Sequence, residues 1–544
     1  MLDYLNMEFG IVGRTTATRS EPNTSSEFSF WLSDKKEALD SVEIGNIVAA
    51  YSDSGDDITF GLVTDMRTYS DVEDYITDFL GHNPGEAGYN DLPQPQVLPE
   101  VTVVRCWIMR NISGKIRPPA RSRVYFPSLL GIKYAYRIVD EYGDTPFGNT
   151  IPVGFFQNGD GTLMPVGIDE DFLVGPEGAH LNISGISGLA SKTSFIMFLL
   201  RSLLESTDKK IGIVTFNVKG KDLLYLDQSN PEMDDWSREA YDKASISSSA
   251  FEQVRYFAPK DPNNPGSTCS RRNNAEPFIL GLRSSHPNIP ALFSPDDWND
   301  KTEGVWNVIE EKVQDPVKNI QKYEDMLHWI HDKLNYANRN KYSSIEGHHI
   351  YTWQKVFKHL KRLPRAYQSI ISRTGHGKDI PWDELKPGNI FVVDMEMLDQ
   401  RAQSFVFGVS IDAIKFLLEM NKGLDGVVVF VDELGKFAPV SNSRAPLKRN
   451  LLEITARGRS MGLSLFGAQQ FVSKVERELV NNCATQIFGR TEVTELLEAN
   501  YSAFSEEIRS KLIKMSQGEL VVRFARFPHP VFVKFPRPPC KVGS

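Results

Sequence analysis

The chain has 544 residues, which is too long for one compact core, so we expect two or three domains. Hydrophobic residues make up 41% and charged residues 24%, and this ordinary globular usage excludes a disordered or fibrous chain. The four cysteines have no close pair, so neither a zinc site nor a disulfide framework is predicted. Without an apolar run near the roughly 20 residues of a membrane span, or a signal-peptide pattern, we expect a cytoplasmic protein and no membrane partner.

The net charge of −9 is unevenly distributed along the chain. Residues 1–170 contain 25 acidic and 13 basic side chains, a balance of −12, which leaves 45 acids and 48 bases, or +3, for residues 171–544. The acidity therefore belongs to the N-terminal region, and the remainder is free to present a basic surface.

Residues 7–170 consist of short alternating segments broken by turn formers, such as Phe28–Leu32, Ile47–Tyr51 and Val101–Ile108. This spacing predicts a small antiparallel barrel. The segment Gly81–Pro99 is rich in Pro and Gly and is predicted to be a loop projecting from it.

From residue 178 the pattern changes to strands followed by helices. Short continuous apolar runs at Ile211–Phe216, Ile390–Asp394 and Val427–Asp432 are typical of strands buried on both faces of a parallel sheet. Residues 300–375 between them have helical spacing instead. The sequence therefore predicts an α/β core interrupted by a helical insertion.

A candidate phosphate-binding loop lies between a strand and a helix, at Gly185-Ile-Ser-Gly188-Leu-Ala-Ser191-Lys192-Thr193. Small residues let backbone N–H groups approach phosphates, Lys192 can reach the β- and γ-phosphates, and Thr193 can ligate Mg²⁺. The loop departs from G-x-x-x-x-G-K-[ST], because Ser191 precedes the lysine and the loop is one residue longer. A chance glycine turn is the alternative that this segment alone leaves open.

The second half of the chain supplies a matching acidic element. Gly426-Val-Val-Val-Phe-Val is an apolar strand ending in Asp432 and Glu433. This pattern suits a Walker B element in which Asp432 holds Mg²⁺ and Glu433 activates the attacking water. An acidic loop at the end of a strand is the alternative, but both elements occur in the order that a nucleotide site requires.

The order of these elements resembles HerA-type ATPases of the HerA/FtsK superfamily over nearly the whole chain. The most specific match is Arg457 to Gln469, followed by Thr485-Gln-Ile-Phe-Gly-Arg490. The resemblance implies a P-loop, RecA-like core of the FtsK/HerA type with a helical insertion, preceded by a small β-barrel of the HAS-barrel type. It also implies ATP and Mg²⁺ as cofactors, a homo-hexameric ring, and double-stranded DNA as the partner.

Residue by residue, the resemblance makes Gly185, Gly188, Ser191, Lys192, Thr193 and Asp432 the nucleotide- and Mg²⁺-binding set. Glu433 becomes the catalytic carboxylate and Gln469 a γ-phosphate sensor, while Arg459 is the first choice and Arg490 the second for an arginine acting on a neighbouring subunit. Gln470-Phe471 replaces the family's Arg-Pro after the glutamine.

Three other groups are weaker candidates. Lys219, Lys221 and Asp222 follow a strand at the edge where ligands bind in open α/β sheets, so they could face nucleotide or DNA, or form an ordinary solvated turn. His348-His349 is expected to be exposed rather than a metal pair, because adjacent residues point apart. A helix with Lys355, Lys358, Lys361 and Arg362 could line a DNA channel or be a solvated face.

We therefore expect a barrel domain over 1–170, the first part of the ATPase core over 171–295, a helical insertion over 296–380, and the second part with a C-terminal tail over 381–544. The predicted function is a DNA-translocating, helicase-type ATP hydrolase whose barrel docks a partner nuclease or NADase-like effector, as in antiphage defence. The alternative is a catalytically weak nucleotide-binding scaffold ring that organises or activates the effector.

Overall fold

The computed structural model describes residues 1–70, 100–140, 142–145, 148–175, 180–186, 191–264, 266–420, 423–440, 446–457 and 461–543, without the side chains of residues 191, 446 and 457. The loop predicted at Gly81–Pro99 lies outside these ranges.

The strands of the described ranges are β1 (Ile11–Thr16), β2 (Glu27–Leu32), β3 (Ile47–Ser52), β4 (Ile58–Ser70), β5 (Glu100–Asn111), β6 (Ser122–Tyr125), β7 (Thr150–Gln157), β8 (Leu163–Asp169), β9 (Leu181–Ser184), β10 (Ile211–Asn217), β11 (Val254–Pro259), β12 (Glu276–Phe278), β13 (Ser344–Ile345), β14 (His348–His349), β15 (Ile390–Asp394), β16 (Gly426–Val431), β17 (Leu463–Gln469), β18 (Thr485–Phe488), β19 (Glu519–Phe524) and β20 (Val531–Lys534).

The α-helices of the same ranges are α1 (Lys36–Ser41), α2 (Leu129–Ala135), α3 (Ser191–Ser206), α4 (Asp235–Lys243), α5 (Leu282–Ser285), α6 (Asp300–Gln314), α7 (Tyr323–Arg339), α8 (Ile350–Ala366), α9 (Gln400–Glu419), α10 (Pro446–Arg457), α11 (Arg477–Asn481) and α12 (Glu506–Lys514). None of the helices in the described part of the chain has the length and apolarity to cross a membrane.

The N-terminal barrel is closed, with strand order β1-β2-β5-β4-β3-β6 and antiparallel pairs throughout. Alternating residues fill its interior, among them Phe28, Phe30 and Val104, each at most 1% exposed. The alternation in the sequence therefore predicted the barrel correctly, because every second side chain of a strand points to one face.

The large sheet has twelve strands in the order β12-β11-β15-β10-β16-β17-β9-β18-β19-β20-β7-β8. The first eight of these are parallel to one another, and the last four add as antiparallel strands. All residues of β10 and β16 are buried, as their unbroken apolar runs predicted. The predicted α/β core is confirmed.

Two strands of the N-terminal region pair with this sheet and not with the barrel. β7 and β8 form a hairpin that joins the sheet edge through the pair Lys534 and Phe155. They lie within the 1–170 segment predicted as the barrel domain. The barrel strands themselves run only from Ile11 to Tyr125.

The helical insertion consists of α6, α7 and α8, between β12 and β15 in the chain. Helix α6 begins with a capping box in which Asn299 and Thr302 satisfy each other's backbone N–H groups. Helix α8 buries Trp353, Val356 and Leu360 against the same core as α9. One face of the sheet is thus covered by the insertion and α9, and α3 packs on the opposite face.

Candidate active site

The candidate residues meet at the carboxyl edge of the central parallel strands. β9 leads into the predicted phosphate loop, β16 ends just before Asp432, and β17 ends at Gln469. The order β16-β17-β9-β18 places these ends side by side, since parallel strands end at the same edge. This edge is where open α/β sheets bind their ligands.

The start of the phosphate loop is tied to its neighbouring strands. Gly185 N donates to Gln469 O at 3.2 Å, and Ile186 N donates to Arg490 O at 2.8 Å. Gly185 has a φ of +157°, and a Cβ atom there would lie 3.2 Å from Gly489 Cα. A residue with a Cβ atom would be strained at this point, so glycine is favoured there. Gly188 lies outside the described residues.

Lys192 and Thr193 are the second and third residues of α3, whose N-terminus carries a partial positive charge. Lys192 is only 7% exposed, and its Nζ donates to Gly185 O at 2.7 Å. Burial lowers the pKa of Lys192, while the charges of Asp432 and Glu433 act in the opposite direction. The site therefore holds a buried ammonium group that faces two carboxylates.

Asp432 follows the last residue of β16. Alternation along this strand puts Asp432 on the face of Val428 and Phe430, which share a core with α3. Burial raises the pKa of Asp432, as does the neighbouring Glu433, while Lys192 and Lys219 lower it. Asp432, which the sequence analysis assigned to Mg²⁺, therefore lies on the same face of the sheet as Lys192, which it assigned to phosphate.

Glu433 has a left-handed backbone, with φ 57° and ψ 47°. A residue with a Cβ atom seldom adopts this conformation unless its surroundings hold it there. Glu433 Oε1 accepts hydrogen bonds from Lys219 Nζ at 3.3 Å and from Gln470 Nε2 at 3.2 Å. The backbone turn and these two donors together fix the direction of the carboxylate.

Lys219 was only a weak candidate for this site from the sequence, and Gln470 was not assigned to it. The sequence placed the Lys219 loop at a sheet edge where it could face nucleotide or DNA or be a solvated turn. Gln470 was noted only as a departure from the family pattern. Asp222, in the same loop, has its pKa raised by burial, with Lys219 acting against this. The signal that could have found Lys219 is its position two residues after a buried strand that neighbours β16.

Gln469 is 2% exposed, and its Nε2 donates to Asn182 Oδ1 on the adjacent strand β9. Gln469 Oε1 and Asn182 Nδ2 are buried and have no hydrogen-bond partner among the described residues. Leaving such atoms unpaired is unfavourable, so these amides are suited to a polar ligand or water.

The two arginine candidates differ in what the structure describes. Arg490 follows β18 and Gly489; its side chain is exposed, and its carbonyl holds Ile186 of the phosphate loop. Arg459 lies outside the described residues, just beyond the end of α10 at Arg457. The edge therefore unites Gly185, Lys192, Thr193, Asp432, Glu433, Gln469 and Arg490.

The residues present fit a Mg²⁺ ion that is held mainly by nucleotide and water. The Thr193 hydroxyl and the Asp432 carboxylate are hard oxygen ligands, and Mg²⁺ at phosphate sites takes only one or two protein oxygens. Across the described part of the chain, no group of three or more His, Cys, Asp or Glu could hold a metal ion by itself.

The remaining candidates lie away from this edge. Lys355 forms an ion pair with Asp297 at 3.0 Å, whereas Lys358, Lys361 and Arg362 are exposed along α8. His349 Nδ1 accepts from Tyr351 N and caps α8. His349 is exposed, as expected, whereas His348 is half-buried and pairs with Ile345 in the short hairpin of β13 and β14.

Comparisons with known proteins find similarity in structure alone. No protein-family model matches the sequence, and no curated protein matches it. The structure of VirB4 of Thermoanaerobacter pseudethanolicus is 15% identical, covering 71% of this chain and 96% of that chain, with a TM-score of 0.46. The conjugative coupling protein TrwB in its unbound form is 12% identical, covering 70% and 90%, with a TM-score of 0.45.

A third structure, the genome packaging NTPase B204 from Sulfolobus turreted icosahedral virus 2 with ATP-gammaS, is 16% identical, covering 27% of this chain and 68% of that chain, with a TM-score of 0.21. Because every one of these TM-scores is below 0.5, the site assignment depends on the strand order and the contacts described above.

Proposed function

We propose that the chain is an ATP hydrolase that works in the cytoplasm as a homo-hexameric ring and couples hydrolysis to the translocation of double-stranded DNA. The observation that carries the hydrolase assignment is that Lys192, at the N-terminus of α3, and the strand-end carboxylates Asp432 and Glu433 lie at the same edge of the parallel sheet. A buried cation facing two strand-end carboxylates is the arrangement that phosphoryl transfer requires.

Each residue has one task in this proposal. Lys192 and the backbone of the phosphate loop bind the β- and γ-phosphates, and Thr193 and Asp432 hold Mg²⁺, which neutralises charge on the phosphates when it is bound. Glu433 orients and polarises the attacking water, while Gln469 and an arginine of the neighbouring subunit stabilise the transferring phosphoryl group.

Double-stranded DNA is proposed as the partner on the basis of the resemblance and of charge. The exposed bases Lys358, Lys361, Arg362 and Arg365 follow one face of α8. Such a row grips phosphates without reading bases, so binding should be independent of sequence and weakened by salt.

The charge proposal is tested with two double charge reversals in the full chain. Lys358→Glu with Lys361→Glu should weaken duplex binding and flatten its dependence on salt. Lys35→Glu with Lys36→Glu, an equal change at two exposed barrel residues, is the matched control. Equal effects of the two pairs would remove α8 from the DNA surface.

A second candidate function is a nucleotide-binding scaffold with weak turnover. The observation that favours it is that the site residues bind one another. Lys192 donates to Gly185 O, and Glu433 accepts from Lys219 and Gln470. ATP turnover measured with and without duplex DNA separates the two. A motor requires turnover that DNA stimulates, whereas a scaffold requires binding alone.

The partner effector, a nuclease or NADase-like enzyme, is proposed to dock on the N-terminal barrel. Support comes from the −12 balance of residues 1–170, which suits a protein partner better than DNA. The flank of the barrel also has an open groove of about 620 Å³, lined by residues that include Ile108, Arg110 and Ile116. Ile116 is 88% exposed.

Docking is tested by a pull-down of a nuclease or NAD-hydrolysing enzyme whose gene lies next to the gene for this chain. The full-length Ile116→Asp protein should no longer capture the enzyme. The Val317→Asp protein should still capture it, because Val317 is similarly exposed, at 86%, but lies in the insertion. Capture that survives Ile116→Asp places docking away from this groove.

A further inference from the structure

The loop after β10 brings a lysine to the catalytic carboxylate. β10 and β16 are parallel neighbours with Phe216 opposite Val431, so the residues that follow the two strands lie side by side. Lys219 Nζ thereby reaches Glu433 Oε1 at 3.3 Å, from a position 214 residues away in the chain.

The backbone of this loop is anchored, while the end of the lysine side chain is not buried. Asn217 Nδ2 donates to Gly220 O at 3.1 Å and to Asp394 Oδ1 at 2.8 Å, which ties the loop to β15. The Lys219 side chain is 52% exposed. Its four-carbon stem can therefore swing the ammonium group without any change in the fold.

Two ammonium groups act electrostatically on the same pair of carboxylates. Lys192 and Lys219 are close enough that the charge of Lys219 helps to lower the pKa of Lys192, and both lie beside Asp432 and Glu433. Like charges repel each other, and a polyanion placed between them is attracted by both. ADP ends at the β-phosphate, so the additional negative charge that ATP brings lies on its γ-phosphate.

We propose that Lys219 is a positioning residue that senses the γ-phosphate. With no triphosphate in the site it holds Glu433, and when ATP binds it turns to the γ-phosphate and leaves Glu433 Oε1 free to accept from the attacking water. Lys219 takes no part in bond making. This inference rests on the proposed ATP site.

Gln470 provides an internal contrast. It donates to the same oxygen of Glu433, at 3.2 Å, but it carries no charge. If Lys219 only fixed the direction of Glu433, removing either donor would have a similar effect. If Lys219 reads the γ-phosphate, only the removal of Lys219 changes how the site distinguishes ATP from ADP.

The test is the ratio of two dissociation constants, for a non-hydrolysable ATP analogue and for ADP, each with Mg²⁺, measured by calorimetry on the full chain. Lys219→Met is expected to weaken the binding of the analogue about tenfold, as for the loss of one charged hydrogen bond. The dissociation constant of ADP should change less than about twofold. Lys219→Arg should restore most of the ratio, and Gln470→Ala should leave it unchanged.

Lys209→Met is the matched control, because Lys209 pairs with Asp171 at 2.5 Å just before the opposite end of the same strand β10. A Lys219→Met protein with the wild-type ratio overturns the inference, whatever its turnover. A wild-type protein that fails to bind the analogue overturns the proposed function itself. A third outcome separates the two proposals. If the wild-type protein binds the analogue, Lys192→Met abolishes this binding and Lys219→Met leaves it unchanged, the nucleotide site is supported and only the role of Lys219 is excluded.

Discussion

The ammonium group of Lys192 donates a 2.7 Å hydrogen bond to the carbonyl oxygen of Gly185, seven residues earlier in the chain. The lysine is thus folded back onto the start of its own loop, where it also faces Asp432 and Glu433. A bound nucleotide has to replace this contact with one from its phosphates, which are stronger acceptors because they are charged.

Lys192→Met should therefore abolish most nucleotide binding. We expect a loss of at least about 30-fold, the equivalent of roughly 2 kcal/mol, for the removal of one partner from a buried charged contact. The melting temperature of the protein without nucleotide should be equal or higher, because burial disfavours the charge of this lysine. Calorimetry and thermal melts check both, with Lys209→Met as the control; unchanged affinity would remove the loop from the site.

Glu433→Gln should bind ATP and turn it over slowly. The amide keeps the size of the side chain and leaves the Asp432 ligand in place, but it cannot accept a proton from water. We expect turnover to fall by about 100-fold, the lower part of the range for general base catalysis. Phosphate release in single-turnover conditions checks this, and a wild-type rate would exclude Glu433 from the mechanism.

The left-handed backbone of Glu433 predicts an inverted order of two substitutions. Glu433→Gly should be more stable than Glu433→Ala by about 1 kcal/mol, because alanine is strained at φ 57° and glycine is not. Chemical unfolding of the two variants measures the difference. If alanine were the more stable, as in ordinary backbone, the turn at Glu433 would have to be absent in solution.

An arginine that acts on a neighbouring subunit predicts complementation in mixed rings. Arg459→Ala and Glu433→Gln subunits should each turn over ATP slowly alone and regain some activity when mixed, since some interfaces then have both groups intact. Native mass spectrometry confirms mixing while phosphate release reports activity. No recovery in mixed rings would transfer the role to Arg490, for which the same experiment is repeated.

His529 predicts a dependence of stability on pH. It stacks on Trp107 with ring centroids 5.2 Å apart, and its Nε2–H donates to Ile108 O at 3.2 Å. Burial lowers the pKa of His529, so the folded protein keeps it neutral after the unfolded chain has taken up a proton. Its contribution is complete above about pH 6.5, the ordinary histidine value, and is lost as the pH falls below it.

His529→Gln should flatten the fall in unfolding free energy between about pH 6.5 and 5.5, where one such histidine contributes a slope of at most about 1.4 kcal/mol per pH unit. Burial also lowers the pKa of His286, so this histidine should keep its own contribution to the pH dependence in the variant. Denaturant midpoints at these pH values provide the measurement. Identical slopes in variant and wild type would contradict the prediction.

The parts of the site that could be predicted are those whose chemistry is local. A segment of ten residues is enough to predict Lys192 at the start of a helix and Asp432 at the end of an apolar strand. The contact of Lys219 with Glu433 was not predictable in this way, because it depends on β10 being the neighbour of β16. Strand order is set by the packing of the whole sheet, and no short motif encodes it.

The same reason explains what the sequence leaves open in the N-terminal region. Alternation predicted strands at 28–32, 47–51 and 101–108, and it predicted the barrel that β1 to β6 close. β7 and β8 have the same kind of pattern, yet β7 pairs with β20 and β8 pairs with β7 at the edge of the large sheet. Alternation shows that one face of a strand is buried, but it does not identify the partner strand.

The pairing of β7 with β20 has a practical consequence for dissecting the chain. A fragment that begins at residue 171 would lack β7 and β8 and would leave the backbone groups of β20 as a new open edge. Unpaired edges of this kind recruit strands from other molecules, so such a fragment should self-associate during expression. A fragment that begins shortly before Thr150 keeps the edge covered, and it is the better choice for separating the ATPase core from the barrel.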